Sequence, residues 1–201
     1  MKIQFSLILA GLLALAPVAA QAATGGVYAD FSTTSLSTSG SPRFYGGTLG
    51  GFAEEKLKGS FDALNLGVDA RFSIEHASQS YTAPPAPYGV NLGSLSTSYG
   101  YDTYVIGPEV SFNTHITPLR PYAEVLFGGA YASGSVSGGF TGYIPGENDA
   151  ASQKYGLLSL VGGADITVLP HLAWRAVELN YGKFNGISST TISSGLVLRL
   201  P

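Results

Sequence analysis

The chain has 201 residues, of which only 11% are charged, with 10 basic against 13 acidic side chains and no cysteine. The acidic balance excludes electrostatic binding of nucleic acid, and the lack of cysteine excludes disulfide staples and thiolate metal sites. Ordinary soluble domains carry about 25% charged residues, so this composition suits an exterior that meets something less polar than water.

Lys2, an apolar run over residues 5–15, Pro17 and the small residues ending in Ala20-Gln21-Ala22 have the layout of a secretory signal peptide. The apolar run is shorter than the roughly 20 residues of a membrane-spanning helix. The organisation expected is therefore 1–22 as signal peptide and 23–201 as one β-barrel domain. Without Lys2 the balance is 9 basic to 13 acidic residues, a net charge of −4.

Eight runs follow with strand character, at 27–34, 44–54, 63–75, 99–112, 121–131, 154–166, 173–184 and 189–200, and none of them has a helical period. The clearest is 63–75. Leu64, Leu66, Val68, Ala70, Phe72 and Ile74 fall on one face, and Asn65, Gly67, Asp69, Arg71, Ser73 and Glu75 on the other. Side chains of a strand point alternately to its two sides, so each such run has an apolar and a polar face. The same contrast sets Ile106, Val110 and Phe112 against Glu109 and Ser111, Ala123, Val125 and Phe127 against Tyr122 and Glu124, and Leu196, Leu198 and Leu200 against Arg199. Glycine-rich "YGGTLGGF" in the second run lacks it.

Runs of about ten residues match tilted strands crossing a bilayer, where soluble strands average five or six. The connections support that reading. Two are long, "HASQSYTAPPAPYGVNLGSLSTS" and "ASGSVSGGFTGYIPGENDAASQ", and they alternate with the short "EKLKGSFD", "NTHITPLR" and "TVLPHL", the layout of an outer-membrane barrel with inner turns and outer loops. The fold expected is all-β, an eight-stranded antiparallel up-and-down barrel with lipid outside. In such a barrel the polar face points into a lumen just wide enough to be filled by side chains, so no open pore is expected.

The segments "RPYAEVLFGGAY", "PHLAWRAVELNYGKF" and "STTISSGLVLRL" resemble strands of the small eight-stranded outer-membrane barrels, the OmpA-type transmembrane domain and its opacity-protein relatives. The resemblance covers 23–201. It implies a Gram-negative-type outer membrane, contact with membrane lipid and lipopolysaccharide, insertion by the barrel assembly machinery, a monomer, and surface ligands met through the outer loops. The group's usual terminal aromatic residue is replaced here by Leu200 and Pro201.

The inward face collects Asp69, Arg71, Glu75, Glu109, Glu124, Asp165, Glu178 and Arg199. Carboxylates in such numbers suit either a proton or acid–base relay or a structural network in which Arg71 and Arg199 fork between several acids, and the enclosed lumen favours the structural network. His115 and His171 belong to turns. Glu75, His76 and Ser78 lie together at the outer rim and hint at a lipid A deacylase-like triad, although Glu75 has the opposite parity. Tyr45, Tyr99, Tyr101, Tyr104, Tyr122, Tyr131, Tyr155, Trp174 and Tyr181 near strand ends suit an aromatic girdle. Tyr81, Tyr88 and Tyr143 in the loops are candidates for stacking on carbohydrate, and "TAPPAP" for a stiff exposed segment. Pro108 predicts a bulge or a break in pairing, and the opposite parity of Arg175 and Glu178 predicts a bulge or a snorkelling arginine.

The reading expected is a non-enzymatic integral outer-membrane protein, structural or surface-interacting, with no catalytic, cofactor or metal residues. The alternatives are a lipid-modifying barrel and a secreted lipocalin-like carrier, the latter requiring Leu64, Leu66, Val68 and Phe72 inside.

Overall fold

The structure, a computed structural model, describes residues 24–57, 62–82, 94–114, 118–137 and 151–200. The signal segment, His115, Tyr88, Tyr143 and the prolines of "TAPPAP" lie outside these residues. Eight strands follow in order, β1 (Thr24–Leu36), β2 (Phe44–Lys56), β3 (Leu64–Thr82), β4 (Ser94–Phe112), β5 (Leu119–Ser137), β6 (Ala151–Leu169), β7 (Leu172–Phe184) and β8 (Ile187–Leu200). Each pairs antiparallel with its neighbour, and β1 closes on β8 from Gly25↔Leu200 to Leu36↔Ser189, so the sheet is a closed barrel. Closure removes the unpaired edges that an open sheet must protect.

The two faces are sorted inside out. Phe31, Leu49, Leu66, Leu160 and Leu196 are each more than half exposed on the outer surface, whereas Asp69 and Asp165 are 0% exposed in the lumen. An apolar exterior of this kind is stable against lipid, while in water it is a contiguous sticky surface. Because Leu66 and its neighbours face outward, the carrier reading is excluded.

One end of the barrel holds both chain ends of the sheet and the turns into β3, β5 and β7; it is called the inner end here. At the outer end β7 returns to β8 through Asn185 and Gly186, with φ of 43° and 79°. Positive φ at both central residues is what a tight hairpin turn of matching twist requires, which is why Asn-Gly stands there.

The middle strands are longer than their alternation indicates. The β3–β4 ladder runs unbroken to Thr82↔Ser94, and β5–β6 reaches Gly134↔Ala151, so much of what reads as loop is a paired wall rising above the outer mouth. The added residues, "HASQSYT", "SLSTS" and "ASGSVS", are mostly small or polar and lack a sustained apolar parity. Main-chain pairing runs through all three stretches, and an alternation of apolar and polar residues cannot reveal it.

Both expected irregularities occur. Along β4–β5 the pairs pass from Ile106↔Phe127 to Glu109↔Glu124 with Gly107 and Pro108 outside the ladder, while Pro108 stays opposite Val68 of β3. This is a break without a register shift, as a residue with no N–H imposes. In β7 the register shifts by one between Arg175 and Glu178 on the β8 side, with a matching shift at Ala164 and Asp165 of β6. The bulge lets Arg175 and Glu178 both point inward; snorkelling is not used.

Candidate functional site

The lumen is built in three layers. Nearest the inner end, Arg120 of β5 donates from Nη2 to Glu54 of β2, to Glu109 of β4 at 3.2 Å and to Ser111 Oγ at 2.5 Å. Its Nη1 lies 3.6 Å from Asp165 of β6. Arg199 of β8 donates to the same Asp165 at 3.0 Å.

Above this sits Arg71. Its Nε donates to Asp69 at 2.9 Å, Nη1 to Glu178 at 2.7 Å and Nη2 to Glu124, so one guanidinium joins β3, β5 and β7. Arg175 donates to Asp30 of β1 at 3.2 Å, to Asp165 at 3.2 Å and to Glu178 at 3.1 Å. Two tyrosines complete the layer. Tyr28 donates to Asp69 at 2.9 Å and Tyr122 to Glu178 at 2.7 Å. The Arg175 guanidinium lies over both rings, 4.0 Å from the Tyr28 centroid and 4.8 Å from that of Tyr122. Charged donors and acceptors paired in this way satisfy groups that are prohibitively costly to bury alone.

Towards the outer end the lumen turns apolar. Phe44, Tyr101, Leu126, Leu157 and Phe184 form one cluster, with Leu36, Tyr99, Tyr155 and Ile187 packed against it. Phe44 and Phe184 stand 5.9 and 5.7 Å from the Tyr101 ring centre. Among the described residues the lumen is thus polar and charged towards the inner end and apolar above.

All eight inward charges expected from the sequence, Asp69, Arg71, Glu75, Glu109, Glu124, Asp165, Glu178 and Arg199, face the lumen, and all but Glu75 take part in ion pairs. Glu75 stands higher and accepts a 2.6 Å hydrogen bond from Ser32. The expectation that Arg199 forks between several acids is corrected. Among the described residues it pairs with Asp165 alone, and the other forks are Arg120 and Arg175.

Sequence reasoning missed Asp30, Glu54, Arg120 and Arg175. Asp30 shares the parity of Tyr28 and Ser32 in β1 and was legible there. Glu54 follows the glycine run that blurs β2, Arg120 sits beside Pro121 where a turn was expected, and the bulge hides Arg175.

Other expected groupings come apart. Glu75 is 1% exposed inside the barrel while His76 and Ser78 are exposed on the outside, so a wall of the barrel separates the members of the suggested triad. Of the girdle, Tyr45, Tyr104, Trp174 and Tyr181 are 46–56% exposed on the exterior, but Tyr101 and Tyr122 are buried inside, because their parity is that of the lumen. His171 is exposed in the β6–β7 turn. Carboxylate oxygens of Asp69, Glu109 and Glu124 lie within 4.8 Å of one another, yet Arg71 and Arg120 already supply positive charge to all three residues.

No protein-family model and no curated protein matches the chain. Among solved structures it is similar to Ail, the attachment invasion locus protein of Yersinia pestis, in complex with the heparin analogue sucrose octasulfate. Identity is 14%, covering 88% of this chain and 98% of Ail, with a TM-score of 0.56. A second structure of Ail gives 13% identity over 89% of this chain and 99% of Ail, with a TM-score of 0.54. At these identities the likeness is one of fold, which fits the closed barrel described above.

Proposed function

We propose that this chain is an integral outer-membrane protein, a plugged eight-stranded barrel with a structural or surface-interaction role and no enzymatic activity. One observation carries the reading: large apolar side chains cover the outside while four arginines and eight carboxylates are enclosed, contributed by all eight strands. Such a distribution opposes folding in water and favours it in lipid. The fold shared with Ail, an outer membrane protein, supports the location.

The interior charges are assigned a structural role. Removing one partner of a buried ion pair costs about 3 to 5 kcal/mol, so interlocked pairs that reach every strand hold the barrel in one closed register. Partners follow from the surface. The exposed Lys154 and Lys183, on the parity of the outward Leu158 and Leu179 near the outer end, suit the phosphates of lipopolysaccharide, and Arg43 lies in the outer connection from β1 to β2. The barrel assembly machinery is the expected insertion partner, and the wall formed by β3–β6 is the expected platform for a surface ligand, as the heparin-analogue complex of Ail illustrates for that protein. The barrel acts as a monomer after removal of 1–22.

The reading is tested by cell fractionation with a heat-modifiability gel and planar-bilayer recording. The expected results are recovery with the outer membrane, faster migration before boiling than after, and no steady conductance. Recovery in a soluble fraction sinks the proposal.

A further inference from the structure

Between the arginine layer and the apolar plug lies a narrow cavity, with about 20 Å³ open to the centre of a water-sized particle, and its wall includes Glu75, Ser159 and Asn180. Glu75 Oε2, Ser159 Oγ and Asn180 Oδ1 are buried and have no hydrogen-bond partner among the described residues. They come from β3, β6 and β7. Native interiors leave few such groups, and three on one cavity wall point to a shared occupant.

The charge balance narrows its identity. Among the described residues Glu75 is the one lumen carboxylate with no arginine partner; the neutral Ser32 hydroxyl donates to its Oε1 at 2.6 Å, and the Thr34 hydroxyl is its other polar neighbour. Arg71 also borders the cavity, but its charge is balanced by Asp69, Glu124 and Glu178, which take one N–H from each of its three nitrogens. Glu178, likewise on the wall, is held by Arg71, Arg175, Tyr122 and Ser193. The unpartnered wall atoms are thus one carboxylate oxygen, one amide oxygen and one hydroxyl, all hard, with one negative charge when Glu75 is ionised. Hard oxygen donors select alkali and alkaline-earth cations over transition metals. Divalent ions take several carboxylates or keep a large water shell, for which this volume and charge are too small.

We propose that the cavity binds one monovalent cation of sodium size, held by Glu75, Ser159 and Asn180. The apolar plug formed by Tyr101, Leu157 and their neighbours closes the outer side, so the ion enters as the barrel folds and stabilises the folded state by mass action.

The test refolds the protein from urea into phosphatidylcholine vesicles, in sodium chloride or in choline chloride at equal concentration, since choline exceeds the cavity. The fluorescence of Trp174, the single tryptophan, reports unfolding. The expected result is a higher urea midpoint in sodium, the unfolding constant falling about tenfold per tenfold rise in sodium above the dissociation constant. Glu75→Gln loses this sodium response, and Ser159→Ala weakens it should Glu75→Gln fail to fold. Equal wild-type midpoints in the two salts mean water and a neutral carboxyl, and overturn the proposal. A sodium response kept in a folded Glu75→Gln places the ion elsewhere and overturns it too. Crystals grown from protein refolded in thallium(I) acetate give a direct check. An anomalous peak in the cavity is expected, and a featureless cavity counts against the site.

Discussion

Arg71→Ala is expected to destabilise the barrel more than any single surface change. The Arg71 side chain is 2% exposed and bonds Asp69, Glu178 and Glu124, whose side chains are 1%, 3% and 1% exposed. Truncation removes the counter-charge and leaves a void in its place, deep among groups shielded from bulk solvent. Tyr28 still donates to Asp69, and Arg175, Tyr122 and Ser193 still hold Glu178, so those two acids are partly rescued. Glu124 is not: one of its oxygens has no partner among the described residues even with Arg71 in place, and Arg71 holds the other. The loss is therefore placed within the range for breaking a buried pair, about 3 to 5 kcal/mol, equivalent to roughly 10² to 10⁴ in the folding constant. The assay is urea unfolding in lipid vesicles followed by Trp174, which is 46% exposed on the outer surface and so reports departure from lipid. A partner-matched variant, Arg71→Met with Glu124→Gln, should recover much of the loss, since neutralising both sides of a buried pair is far cheaper than orphaning one. An Arg71→Ala protein within about 1 kcal/mol of wild type, well under the cited range, refutes the structural role of the network.

Arg199→Ala, by contrast, should cost only about 1 kcal/mol in the same titration, because its side chain is 21% exposed and its partner Asp165 keeps Arg120 and Arg175. Leu66→Arg puts a charge on an exterior position that is 51% exposed, and should lower bilayer stability by about 2 to 4 kcal/mol if that position lies near mid-membrane; folding as readily as wild type into vesicles would show that the faces are misassigned. Gly107→Ala places a Cβ 2.0 Å from the Val125 carbonyl oxygen, a backbone atom that cannot swing away, so it should cost about 1 to 3 kcal/mol and slow refolding on the heat-modifiability gel. Gly186→Ala, at φ +79° with open space around it, tests conformation without a clash and should lower stability by about 1 kcal/mol in the urea titration.

The sequence alone determined the architecture. Strict alternation through Leu64 to Glu75, a scarcity of charge and the rhythm of short and long connections leave little besides a lipid-facing barrel, because a period of two is a local property of each strand and needs no knowledge of its neighbours. Inward orientation of Asp69, Arg71, Glu109 and Glu124 followed from the same parity. What tertiary structure decided is what parity cannot carry. The register shift at Arg175 and Glu178 turned an apparent outward arginine into the hub that meets Asp30 and Asp165, and closure of β1 on β8 brought that Asp30 across the lumen. Extension of β3 to β6 beyond their apolar faces rests on main-chain pairing, which is indifferent to side-chain type. Which acid meets which arginine depends on strand stagger around a closed cylinder, a global quantity, and so the isolation of Glu75 beside an arginine-rich layer became visible only once all eight strands were in place.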